Sequence, residues 1–197
     1  AIGGAINFVT GIDYTNSYSI NGFNLKNNSI GYNTTKITDS GWHLNFNGAA
    51  NQSETDSAIA KGNEYDGSKN YQVNLNGVKW INDNIKLKNT FYYRDTKSDY
   101  DSSATAEESV TADNKMYALQ TGIEQKNKDS MNNLIFHYHN YDRKYYVQGK
   151  KDKYYSESFV AKAERTVVTN DKLSYGFGSE YKYDWGHYLT KTFTSQT

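Results

Sequence analysis

Apolar and polar residues alternate with a period of two over most of this chain. In the stretch GWHLNFNG at positions 41–48, Trp42, Leu44 and Phe46 alternate with His43, Asn45 and Asn47. That period separates the two faces of a β-strand, whereas a helix would scatter the three apolar side chains around its circumference. Tyr71, Val73 and Leu75 alternate with Gln72, Asn74 and Asn76, and Ile85, Leu87 and Phe91 stand against Lys86, Lys88 and Thr90. Leu134, Phe136 and Tyr138 continue the series. Near the end Leu173, Tyr175, Phe177, Tyr181, Tyr183 and Trp185 oppose Lys172, Ser174, Glu180, Lys182 and Asp184. Two more strands fit near the N-terminus at 16–24 and 29–37, and weaker patterns mark 117–123 and 155–168, the last with Arg165 on the face that should be apolar. The pattern predicts an all-β chain of about nine strands.

Short and long connections alternate along it. Thr38-Asp39-Ser40, Asn82-Asp83-Asn84, residues 126–130 and Thr169-Asn170-Asp171 are short and rich in turn formers. Between them lie longer polar stretches at 55–70, 95–114 and 141–154, which read as loops. In an antiparallel up-and-down meander alternate turns fall at the same end of the sheet. Tight turns then occupy one rim and long loops the other, as in outer-membrane barrels. The polar faces hold Lys86, Lys88, His137, His139, Lys162, Glu164, Glu180 and Lys182, which suit a water-lined lumen. Trp42 near a short turn, and Tyr71, Tyr93, Tyr117, Tyr138, Tyr183 and Trp185 toward the long loops, suit interfacial aromatic girdles. A soluble sandwich or lipocalin-like barrel alternates too, but its loops need not segregate by length. Lys79 and Trp80 each fall on the wrong face for a membrane barrel, at what reads as its rim.

Composition narrows the picture. The 197 residues are 36% hydrophobic with a mean hydropathy of −0.90, which would suit a disordered chain but for 15% aromatics, 19 of them Tyr. No run nears the roughly 20 apolar residues of a membrane helix, so any crossing of a bilayer is by strands of about 10 residues. With 22 basic and 22 acidic residues the net charge is zero, which argues against a nucleic-acid partner. The absence of Cys excludes disulfides, thiolate metal sites and cysteine nucleophiles, and the absence of Pro suits laddered strands. No nucleophile elbow, phosphate-binding glycine loop or zinc pattern is present, so the expectation is a protein that is not an enzyme.

The opening, AIGGAINFVT at positions 1–10, resembles the end of the plug domain of TonB-dependent outer-membrane receptors, whose last plug strand follows an A-x-G-G-x-I-N-I/F-x-T pattern. Ala1, Gly3, Gly4, Ile6, Asn7 and Thr10 carry the match. Within that family the chain looks closest to the vitamin B12 (cobalamin) receptors, through AIAKGN at 58–63, YRDTKSDYDS at 93–102, MYALQTGIEQ at 116–125 and HYHNYDRKYY at 137–146. These later segments are looser and are shared with siderophore and haem receptors. The resemblance implies that residues 1–10 end the plug and that 11–197 begin a barrel of about 22 strands closed around it. It also implies energised uptake of a scarce ligand such as cobalamin across the outer membrane of a Gram-negative bacterium. Its partners would be outer-membrane lipid, the ligand, and TonB through a plug segment that this chain lacks. On that reading the chain is a fragment, an open sheet with two unpaired edges that does not transport alone. A complete small barrel with a structural or adhesive role is the alternative.

The same resemblance implies that calcium orders the second and third long loops, with Asp56, Asp66 and Asp101 as ligands and Glu64 as a further candidate. Hard cations want several carboxylate and carbonyl oxygens at once, which two acidic loops on adjacent hairpins supply. Simple solvated loops are the alternative, and the spacing matches no EF-hand. No other cofactor is required. Tyr141, Tyr145 and Tyr146, with Tyr154 and Tyr155 nearby, are candidates for stacking on a flat macrocyclic ligand, with an interfacial girdle as the alternative. His137 and His139 put two imidazoles on one strand face, a metal-binding geometry without an adjacent third ligand, and read first as lumen-facing polar residues.

Overall fold

The tight turns are closed by hydrogen bonds between near neighbours. Gly41 donates its N–H to the Thr38 carbonyl at 2.9 Å, and Thr38 Oγ1 accepts the Trp42 N–H at 3.0 Å. Gly41 takes a φ of 80°, which side chains with a Cβ rarely adopt. Asn82 Oδ1 accepts the N–H groups of Asn84 and Ile85, both at 2.9 Å, in the Asx geometry that Asn favours. Asn127 donates its N–H to the Ser130 carbonyl at 2.8 Å in a third turn. Reversals this short bring each strand back beside the one before it.

This computed structural model describes residues 16–24, 27–56, 65–103, 106–147, 150–170 and 173–192. They form β1 (Ser17–Asn24), β2 (Asn27–Ile37), β3 (Trp42–Asp56), β4 (Tyr65–Asn82), β5 (Ile85–Ser103), β6 (Ala106–Lys126), β7 (Ser130–Val147), β8 (Lys150–Asn170) and β9 (Leu173–Thr192). All nine lie antiparallel in one open sheet, in chain order. The all-β meander expected from the alternation is what forms. Among the described residues β1 pairs only with β2, and β9 only with β8.

Register carries each face across the sheet. Phe46, Leu75, Phe91, Leu119, Tyr138, Phe159 and Tyr183 form one continuous row over β3–β9. Nothing in the sheet covers this apolar face, since Leu119 is 52% and Tyr183 55% exposed. The adjoining row, one step along each strand, reads Asn45, Asn76, Thr90, Gln120, His137, Val160 and Lys182 on the opposite face. Polar side chains there bond sideways, Asn45 Nδ2 to Asn33 Oδ1 at 2.9 Å and Thr90 Oγ1 to Asn76 Oδ1 at 3.0 Å. Asn45, Asn76 and Ser158 are buried on this face even though no second layer of described residues covers it.

Both edges of the apolar band are marked by aromatics. Toward the far ends of the hairpins Tyr93 and Tyr117 are in register, with Tyr138 one row below at a ring distance of 6.0 Å from Tyr117. The hydroxyls of Tyr138 and Tyr155 both donate to Glu157 Oε1, at 2.8 and 2.6 Å, so this carboxylate at the edge is held by phenols. At the tight-turn edge Lys79 lies beside Trp42 with Nζ 5.9 Å from the ring, and Lys86 Nζ sits 4.9 Å from the Trp80 ring on the polar face. Arg165 pairs with Asn132 and Phe177 at the same edge. These three departures from the alternation therefore lie where a long cation can rest on a ring while its head reaches water.

The stretches read as long loops are a correction. Residues 55–70, 95–114 and 141–154 are strand at every described position, with 57–64, 104–105 and 148–149 outside the described residues. The period of two persists there in charge rather than hydrophobicity. The rows Asp95, Lys115, Asp142 and Lys97, Asp113, Lys144 set opposite charges against each other across β5–β7. Lys115 Nζ lies 3.2 Å from Asp95, and Thr111 donates to Asp99 at 2.7 Å. Backbone ladders need no apolar face, and such cross-strand pairs add about 0.2–1 kcal/mol each.

Candidate functional site

Beyond the aromatic edge the polar face of β5–β9 becomes a groove. Arg94 pairs with Met116 and Met116 with Tyr141, while Arg143 pairs with Tyr154 and Tyr154 with Tyr188. Alternation puts all of these on one face. Two hollows lie side by side there. One of about 420 Å³ is lined by Tyr141, Arg143, Tyr154, Ser156, Gly186 and Tyr188, and one of about 240 Å³ by Arg94, Thr96, Asn114, Met116, Tyr141 and Arg143. Tyr141 and Arg143 form the wall they share.

Neighbouring side chains hold the walls in place. The Tyr141 hydroxyl donates to Asn114 Oδ1 at 3.0 Å, and Arg94 Nε donates to Asn70 Oδ1 at 2.8 Å and Thr96 Oγ1 at 3.1 Å. The Arg143 guanidinium carbon lies 4.0 Å from the centre of the Tyr145 ring, and its Nε is buried without a hydrogen-bond partner. Tyr154 and Tyr188 stand 4.5 Å apart, their planes inclined by 36°. At Gly186 the nearest atom a Cβ would meet is 3.8 Å away, so the floor between these walls stays open.

Of the aromatic candidates, Tyr141 and Tyr145 lie on this face and come together around Arg143. Tyr146 lies on the other face, where Lys151 Nζ is 5.1 Å from its ring, because consecutive residues of a strand point opposite ways. Of the calcium candidates, Asp56, Asp66 and Asp101 have backbones paired with Tyr65, Thr55 and Ser109 at the same end of the sheet. Glu64 and the side chains of Asp56 and Asp101 lie outside the described residues. Among the described residues no three His, Asp or Glu side chains form a metal-binding group. His137 Nε2 and His139 Nδ1 are 3.3 Å apart and face each other on the polar side. Ala1, Gly3, Gly4, Ile6, Asn7 and Thr10 lie outside the described residues.

Sequence reasoning passed over Arg94, Arg143 and Tyr188. A signal was available in the composition, because only three of the 22 basic residues are Arg and two of those line this groove. No family model, curated protein or solved structure matches the chain.

Proposed function

We propose that this chain is part of the wall of an outer-membrane β-barrel that takes up a scarce ligand, with its apolar face toward lipid and its polar face toward the lumen. The division of the sheet into those two faces carries the reading. On β5 the band from Ile85 to Tyr93 spans about 27 Å at the rise of an antiparallel strand. A tilt of roughly 40° reduces this to about 21 Å, close to the apolar band of such barrels. The aromatic edges and the charge-paired extensions beyond them fit the two interfaces and the extracellular side. The plug-like opening supports a TonB-dependent receptor, and the looser resemblance along the chain favours cobalamin over siderophore or haem chelates. The barrel would close through strands beyond the open edges of β1 and β9.

The three tryptophans offer a direct test. Variants of the full-length protein retaining only Trp42, Trp80 or Trp185 are placed in vesicles carrying a nitroxide near the headgroups. Trp42 and Trp185 are expected to be quenched strongly and Trp80, on the polar face, weakly. Equal quenching of all three, or of none, would overturn the assignment of faces.

Calcium belongs to the same reading, with Asp56, Glu64, Asp66 and Asp101 as its ligands. Added calcium is expected to slow proteolysis of the β3–β4 and β5–β6 hairpin ends in the full-length protein. Replacing Asp56 and Asp101 together by Ala should abolish that protection, and cleavage that ignores calcium in both proteins removes the idea.

A further inference from the structure

We infer that a hollow on the apolar face of β6–β9 holds one phospholipid with a net-anionic headgroup, its phosphate on Arg165 and an acyl chain against Ala163 and Ser179. The inference rests on the membrane reading above for the solvent that this face meets.

Shape is the first ground. The hollow has a volume of about 540 Å³, larger than either hollow of the polar face and within the range of small-molecule sites. Ile123, Leu134 and Phe177 stand around it, and Ala163 and Ser179, in register on β8 and β9, form its floor. Nearer the middle of the face, the row from Phe46 to Tyr183 contains no side chain smaller than Leu. The row Leu134, Ala163, Ser179 therefore leaves a recess in an otherwise filled surface. Ile123, Leu134 and Phe177 are all exposed, so the recess is open and apolar. Glu164 also borders it, but alternation puts that side chain on the polar face, where it pairs with Lys162 at 2.7 Å.

Charge is the second ground. Gln125, Asn132, Arg165 and Phe177 form the row at the tight-turn end of the hollow. Arg165 is exposed and makes no ion pair among the described residues. From the Phe46–Tyr183 row down to the tight turns, the charged strand residues of the apolar face are Lys36, Lys79 and Arg165, all of them cationic. A face that offers only positive charge at the edge of its apolar band complements the phosphate layer of a membrane.

The arrangement of the two is the third. Arg165 and Ala163 are successive residues on the same face of β8, about 7 Å apart along the strand. A lipid seated here has its phosphate at the edge of the band and its chain running into the hollow, as the stem and head of an interfacial arginine require. The guanidinium fork matches phosphate oxygens with two parallel bonds. Gln125 Oε1 accepts from Asn132 Nδ2 at 3.2 Å, which leaves the amide N–H groups of Gln125 as further donors to the headgroup. A soluble anion would gain the arginine but leave the hollow empty, so the occupant is a lipid rather than free phosphate.

The full-length protein, stripped of lipid in detergent, is titrated with three lipids of identical acyl chains, and the lipid retained is counted by native mass spectrometry. The lipids are phosphatidylglycerol, phosphatidylcholine, whose choline neutralises the phosphate, and diacylglycerol, which has no phosphate. One equivalent of phosphatidylglycerol is expected to bind at least tenfold more tightly than either comparison, and glycerol 3-phosphate should not displace it. Arg165→Gln should bring phosphatidylglycerol to the level of phosphatidylcholine. Ala163→Phe, which fills the hollow, should weaken phosphatidylglycerol at least tenfold, and Ser179→Leu replaces it if that variant does not fold. Lys162→Gln removes a cation from the polar face of the same strand and should change nothing. Equal affinity for phosphatidylglycerol and phosphatidylcholine, displacement by glycerol 3-phosphate, or a preference that survives Arg165→Gln overturns the inference. Such a result leaves the membrane reading standing, since tryptophan quenching decides that without reference to any one lipid.

Discussion

Leu119→Arg is expected to prevent stable residence of the protein in a bilayer, while Gln120→Arg, the next residue, leaves it in place. Leu119 stands in the middle of the apolar row between Phe91 and Tyr138, and Gln120 stands between Thr90 and His137 on the polar face. An arginine at the midplane on the lipid side of a barrel costs about 2–4 kcal/mol. That corresponds to a roughly 30- to 1000-fold shift toward the unfolded state. On the polar face the same side chain meets water and neighbouring polar groups, and a change within about 0.5 kcal/mol is expected. Urea unfolding from phospholipid vesicles measures both. Two variants that behave alike would mean that the faces do not see different solvents.

The second large effect is expected at Gly178. A Cβ there would lie 2.7 Å from the carbonyl oxygen of Ala163 and 3.2 Å from Glu164 Cγ. The first contact is with backbone, which yields only if β8 and β9 move apart, so Gly178→Ala should lose about 1–3 kcal/mol. Gly176 provides the control, since it lies on the same face of the same strand and a Cβ there would meet nothing nearer than 3.6 Å. Gly176→Ala should be neutral or gain up to about 1 kcal/mol, because alanine has less conformational freedom to lose in a strand. The difference between the two urea midpoints isolates the close approach of the strands. A Gly178→Ala midpoint equal to that of Gly176→Ala would place β9 further from β8 than the structure has it.

Much of the architecture was legible in advance, and the exceptions have physical causes. Strands through Leu44, Leu75, Phe91, Phe136 and Phe177 declared themselves because their environment differs between faces. Ile85, Asn89 and Phe91 share a face with Asp95 and Lys97, yet the pattern read by hydrophobicity stopped near Tyr93. Beyond that point the two faces differ in charge pairing rather than polarity, and the alternation of Asp95 with Lys115 is visible only once β6 lies beside β5. Lys79, Trp80 and Arg165 looked misplaced for a related reason. Their tolerance depends on standing at an edge, and on the rings or polar groups that adjoining strands bring beside them.

The candidate site was less legible. Tyr141, Tyr145 and Tyr146 were grouped by closeness in the chain, but strand geometry separates Tyr146 from the other two. Arg94 lies far from Arg143 in sequence and joins it only through the pairing of β5 with β6 and β6 with β7.

By itself the sequence determined the all-β class, the division of residues between two faces and the positions of the tight turns. These are local properties: adjacent strand residues must point opposite ways, and Asn82 or Gly41 closes a turn with atoms a few bonds away. The tertiary structure decided how far each ladder runs beyond the apolar band and which residues of different strands meet. Both depend on register, which is set by pairing along the whole length of neighbouring strands and appears in no single stretch of chain.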